Sequence, residues 1–273
     1  MLNKLVVVLG LLVLSTPVWA APQRQVATLS TPGTERSLML PAAVDRSPVI
    51  ALGEAVDPGT GQAVEGYAFV HYRDEGARGG NPAKPPKGGE VCYSFLASGA
   101  KWKTVEPWVV NPSNGEGLDE SFVASNLAAD IAKWESAAEG VDILGSGSQT
   151  GEVLAADTVA PDEVNEVYFG DIDSPGAIAV TIVWGVFRGR PSERKLVEWD
   201  QVYDQVDYNW SGAGEAGKMD FENIATHELG HAAGMGHPSD SCAEETMYRF
   251  ADFGEIKKQT LEQGDIAGVK ALY

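Results

Sequence analysis

Histidine is scarce in this chain, with four among 273 residues, and so is cysteine, with two. Positive charge is in short supply too: 20 Lys and Arg face 39 Asp and Glu, a formal charge of −19. A chain this acidic repels nucleic acid and anionic membrane surfaces, so neither is an expected partner. Apolar runs long enough for a membrane are missing. The stretch LVVVLGLLVL, residues 5–14, is half of the roughly 20 residues that span a bilayer. It follows Lys4 and precedes Val18-Trp19-Ala20, the order of a signal peptide over residues 1–20. The mature chain is therefore expected to be secreted, extracellular or periplasmic, with no membrane insertion after signal removal. In that oxidising setting Cys92 and Cys242 suggest one disulfide, with two buried free thiols as the alternative. At 44% hydrophobic residues with seven Trp, the chain has the composition of a folded protein.

Residues 21–89 read as an N-terminal leader or prosegment. Within it, VIALGEAVDPGTGQAVEGYAFVHYR suggests two strands around the turn signal DPGTG. The Gly/Pro/Lys-rich GARGGNPAKPPKGGE then reads as a linker. The main domain is placed at 90–273. In it ESFVASNLAADIAKWESAAEG carries Val123, Leu127, Ile131 and Trp134 on one helical face, with Asp119 as cap. Three strands follow: EVNEVYFGDI, the continuously apolar AIAVTIVWGVF, and KLVEWDQVYDQVDYNW, which alternates as a half-exposed strand does. FENIATHELGHAAG reads as a helix capped by Asp220. TLEQGDIAGVKALY reads as another, with Thr260 and Gln263 as capping box and Ile266, Val269 and Tyr273 as its apolar stripe. Trp134, Trp184 and Trp210 are read as core.

Three of the four histidines fall in HELGHAAGMGH, residues 227–237. On a helix, His227 and His231 lie one turn apart on one face and can share a metal ion. Gly234 can end the helix in a left-handed conformation, and the chain then returns His237 as a third ligand. Three protein ligands leave a fourth position open, the mark of a catalytic rather than a structural zinc site. Glu228, next to His227, is the candidate general base for a metal-acidified water. The reaction implied is metal-assisted hydrolysis.

These residues resemble the HExxHxxGxxH pattern of the metzincin zinc endopeptidases, and ETMYRF resembles that clan's Met-turn, with Met247 in the turn. Met-Tyr at that place is most like the matrixins. The resemblance implies an α+β metzincin fold: a twisted, mostly parallel five-stranded sheet, one antiparallel edge strand and three helices, with a cleft between upper and lower subdomains. It implies one catalytic zinc and a secreted zinc endopeptidase acting on proteins or peptides, expected to be a monomer. A catalytically silent zinc-stabilised binding protein and a zinc hydrolase of cell-wall peptides are the alternatives. Residues 21–91 hold no cysteine to block the zinc. Cys92, at the domain start, is favoured as partner of Cys242 over a blocking role, although the thiol reading stays open. Calcium is a further candidate, at Asp171 and Asp173 of GDIDSP or in NPSNGEGLDE.

Overall fold

The computed structural model describes residues 37–41, 47–74 and 89–273. The expected signal peptide, residues 21–36 and 42–46 of the expected leader and the expected linker over 75–88 lie outside the described residues. The strands are β1 (Ser37–Leu38), β2 (Val49–Val56), β3 (Ala63–Arg73), β4 (Ser94–Phe95), β5 (Trp108–Asn111), β6 (Gly147–Gln149), β7 (Asn165–Ile172), β8 (Ala177–Val186), β9 (Lys195–Asp204), β10 (Trp210–Ser211), β11 (Met219–Asp220), β12 (Met235–Gly236) and β13 (Phe250–Ala251). The helices are α1 (Glu120–Ala137), α2 (Phe221–Ala232) and α3 (Gln263–Leu272).

The fold is α+β. One nine-stranded sheet runs β13-β3-β8-β9-β7-β5-β6, with β1 added beside β7 and β2 beside β3. Strands β6, β5, β7 and β9 are mutually parallel, and β8 runs antiparallel to β9. These are the five strands the resemblance implies. The difference lies at β8, which is not an edge here. Strand β3 pairs antiparallel along it from Glu65↔Gly185 to Tyr72↔Ala177, and β13 pairs parallel with the far end of β3. The hairpin β2–β3, placed by sequence in a separate leader, thus lies in the same sheet as residues of the 90–273 segment. Its apolar alternation is satisfied there. Ala68, Val70 and Tyr72 join the apolar layer on one face of the sheet, while Phe69 joins the layer on the helical face. Exposed Arg188 adds ion pairs to Glu54 and Glu65 of the hairpin.

Helix α1 forms as its sequence demands. The Asp119 carboxylate accepts from the Phe122 N–H, and Val123, Leu127, Ile131 and Trp134 are all buried against α2 and the sheet. Strand β9 departs from expectation. It is buried along nearly its whole length rather than half-exposed, because its acidic residues are covered by the 154–163 segment. The Glu198 carboxylate accepts the Asp162 N–H, and that of Asp200 accepts those of Asp157 and Glu166. Hydrogen bonds from the backbone let these acids sit inside. The start of α3 also differs. Its capping box is Glu262 with Asp265, and Ile266 faces solvent while Gly268, Val269 and Leu272 are buried. Cys92 and Cys242 form a disulfide with a Cα–Cα distance of 5.5 Å, fastening the segment before β4 to the loop that leads into Met247.

Candidate metal centre

Helix α2 is capped by Asp220, whose carboxylate accepts the Asn223 N–H at 2.9 Å. The helix is buried on nearly every side, Glu222 excepted. Gly230 lets the methionine turn close on it, since a Cβ there would collide with Met247 Sδ and Trp134. After Ala232 the chain reverses at Gly234, with φ +99°, where a Cβ would also press on the Ala100 carbonyl and Leu272 at 3.0 Å. Only glycine takes that conformation cheaply. Strand β12 then pairs with β4 and delivers His237 to the helix.

The three histidines converge through Nε2. His231 Nε2 lies 3.1 Å from His237 Nε2, which lies 3.3 Å from His227 Nε2. The opposite nitrogens of the two helical ligands are committed: His227 Nδ1 donates to the Thr246 carbonyl at 2.7 Å, and His231 Nδ1 to the Met235 carbonyl at 2.9 Å. Their Nε2 lone pairs therefore point inward, as metal ligation requires. Tetrahedral zinc bonds of about 2.0–2.1 Å set donor nitrogens about 3.3–3.4 Å apart, so the spacing fits zinc. Burial holds the His227 and His237 imidazoles well below their ordinary pKa and that of His231 at about 4. They stay neutral, the ligating form. Met247 is fully buried beneath them. Its turn is held by Asp265, whose carboxylate accepts the Thr246 and Met247 N–H groups at 2.7 and 3.2 Å.

Glu228 is fully buried, and burial raises its carboxyl to about 8. Thr181 of β8 donates to its Oε2 at 2.6 Å. His71 Nδ1 lies 3.1 Å from its Oε1, and Lys258 Nζ lies 3.1 Å from His71 Nε2. A lysine nitrogen donating to Nε2 leaves the His71 proton on Nδ1, directed at Glu228. The His71 ring also packs on that of His227, with centroids 3.9 Å apart. All four histidines of the chain thus meet at one place. Spacing arguments overlooked His71, Thr181, Lys258 and Asp265, because each arrives on a different element. The signal available for His71 was its rarity.

Asp171 is the last but one residue of β7, paired with Ser37, and Asp173 follows just past the strand. Among the described residues neither belongs to a group of three ligands. The acidic group the fold does assemble is Asp157, Glu198 and Asp200, each offering an oxygen within 4.8 Å of the others. In NPSNGEGLDE the side-chain Oδ1 of Asn114 accepts the Glu116 and Leu118 N–H groups of its own loop.

Comparison with known proteins finds likeness over the C-terminal third of the chain. The matrixin family model matches residues 185–273. Matrilysin from Homo sapiens is 40% identical over 74 residues, 27% of this chain and 26% of that protein. Metalloendoproteinase 1-MMP from Arabidopsis thaliana is 41% identical over 68 residues, 25% of this chain and 18% of that protein. Metalloendoproteinase 1 from Glycine max is 36% identical over 77 residues, 26% of this chain and 24% of that protein. The chain thus spans about a quarter or less of the length of the curated relatives it matches. The stretch that carries the three histidines, Glu228 and the methionine turn is thus similar to the matrixins.

Proposed function

We propose that the chain is a secreted zinc-dependent endopeptidase, with His227, His231 and His237 as zinc ligands and Glu228 as general base. The observation that carries this is the convergence of three Nε2 atoms at 3.1–3.3 Å, with the outer nitrogens of two of them locked to carbonyls. Bound zinc would acidify a water and polarise the scissile carbonyl. Glu228 takes the proton of the attacking water and hands it to the leaving amine nitrogen. Met247 and the Asp265-held turn support the ligand cradle from below. The Cys92–Cys242 bridge agrees with an exported protein. A structural calcium at Asp171 and Asp173 rests on the sequence reading, without a third grouped ligand there among the described residues.

The test is metal content and casein cleavage, measured on the purified protein and on Glu228→Ala. One zinc in each, with cleavage abolished by a chelator and by the substitution, is the expected result. Equal cleavage by Glu228→Ala would remove Glu228 from the mechanism. Less than one zinc per chain in the unmodified protein would remove the metal assignment.

A further inference from the structure

Strand β8 reads AIAVTIVWGV, and within it Thr181 carries the one side-chain hydroxyl. Thr and Val share a branched shape and suit a strand alike. A valine would fill this place without bringing a polar atom into the core. Ala179 and Val183, two residues to either side, join the apolar layer on the helical face of the sheet, and Thr181 is fully buried between them. Its hydroxyl donates to Glu228 Oε2 at 2.6 Å and lies 3.3 Å from the Glu228 main-chain carbonyl. The contact joins the middle of β8 to the middle of α2.

A second polar pair stands behind Thr181. Gln201 faces it across the β8–β9 pairing, and the Tyr203 hydroxyl donates to Gln201 Oε1 at 2.9 Å. Both side chains are fully buried, and the Gln201 amide nitrogen has no hydrogen-bond partner among the described residues. The Tyr203 ring is wedged among Phe169, Trp210 and Phe221, which holds the pair in place. Tyr203, Gln201 and Thr181 thus make a polar strip through an otherwise apolar layer, and that strip leads to Glu228. Such a strip specifies one arrangement of the groups it joins.

The two oxygens of Glu228 are distinguished as a result. Oε2 faces the sheet and Thr181, whereas Oε1 meets His71 Nδ1 at 3.1 Å. A Glu228 carboxylate oxygen also lies within 4.8 Å of imidazole nitrogens of His71 and His227. Each carboxylate oxygen has two acceptor sites, so the His71 contact leaves Oε1 able to take a further proton. Turning the carboxylate over would exchange its oxygens and break the Thr181 bond.

The geometry points to Thr181 as the positioning residue of Glu228: its hydroxyl fixes Oε2 and leaves Oε1 as the oxygen that takes the proton of the attacking water. This rests on the endopeptidase reading and names the group that aims its base. Thr181 is too deeply buried to touch a substrate and acts through Glu228 alone. Its aim matters because a misplacement of about 1 Å costs on the order of 100-fold in rate.

The test uses the zinc-loaded full chain with the variants Thr181→Val and Thr181→Ser, and turnover of a quenched peptide is split into kcat and KM. Thr181→Val keeps the shape and loses the donor, so kcat should fall by about 10–100-fold with KM held within about 2-fold. Thr181→Ser keeps the donor and should hold kcat within about 3-fold of the unmodified protein. Zinc content should be the same in all three. A second readout needs no turnover. Urea unfolding of the zinc-loaded chain, at fixed free zinc, is compared for Thr181→Val, Glu228→Ala and the double variant. The two effects on the unfolding constant should depart from a simple product by about 5-fold or more, because the side chains share one hydrogen bond. Should Thr181→Val fold poorly, Thr181→Ala against Thr181→Ser repeats both comparisons at smaller volume. Unchanged kcat in Thr181→Val would overturn the proposal, as would a Thr181→Ser chain that is equally slow. So would effects that simply multiply in the unfolding cycle. A coupled cycle in a protein that turns over no peptide would uphold the contact and sink the endopeptidase reading instead.

Discussion

Among single residues, Gly234 links backbone conformation to the proposed metal centre. Its φ of +99° sits where side chains are strained, and the Ala100 carbonyl and Leu272 leave no room for a methyl group. Gly234→Ala should therefore destabilise the fold by about 1–3 kcal/mol. It should also displace His237 more than the two helical ligands, because β12 begins immediately after the turn. The expected outcome is a lowered thermal midpoint together with zinc lost at a lower chelator concentration, read by titration against a zinc indicator. Unchanged zinc affinity in a destabilised protein would separate the turn from the ligand. His71 teaches a related lesson. Standing 156 residues before His227 in the chain, it offered no spacing to interpret, yet its ring lies on that of His227.

Elements were legible where one helical face meets one core. The periodicity of α1 and the HELGH turn of α2 both fold as they read. β9 and α3 were misread for one shared reason. Alternation and apolar stripes report exposure only if polar positions face water. In β9 the acids face inward onto backbone N–H groups, and in α3 Asp265 faces inward onto the methionine turn. The Cys92–Cys242 bridge belongs to this scale, since it fastens the lead-in to β4, the partner of β12, to the loop before Met247. It closes a loop of 150 residues, which in the chain-entropy model is worth roughly 5 kcal/mol. Cys92→Ser paired with Cys242→Ser should lower the denaturant midpoint strongly and raise the m-value, because the unfolded chain without the bridge is less compact. A change under about 1 kcal/mol would mean that the unfolded chain is already compact there.

Across the whole molecule, buried acid couples stability to pH. Burial raises the carboxyls of Glu166 to about 7 and Glu198 to about 8, and that of Asp200 well above its ordinary value. The folded chain keeps protons there that the unfolded chain, with carboxyls near 4, has released. Between about pH 4 and 8 each such group makes the native state bind more protons, so its contribution to stability falls as pH rises. The buried histidines and Lys258 titrate as well, but equally in a variant that changes only the acid. The loss of thermal stability from pH 6 to 8 should therefore be smaller in Glu198→Gln than in the unmodified protein. Equal slopes would show that Glu198 is ionised in the folded state. The sequence by itself determined the convergence of the three histidines: the HExxHxxGxxH spacing lies within one helix and one turn, where local geometry dictates which side chains meet. It also determined the order of the elements from α1 to α3, because each carries its own periodicity and cap. Only the tertiary structure decided what surrounds that chemistry. The pairing of β3 with β8, the placing of His71 and Lys258 behind Glu228, and the burial of acid in β9 are contacts between segments more than 30 residues apart. No local pattern encodes them, since they arise from which strand edge and which cavity remain to be filled once the core has formed.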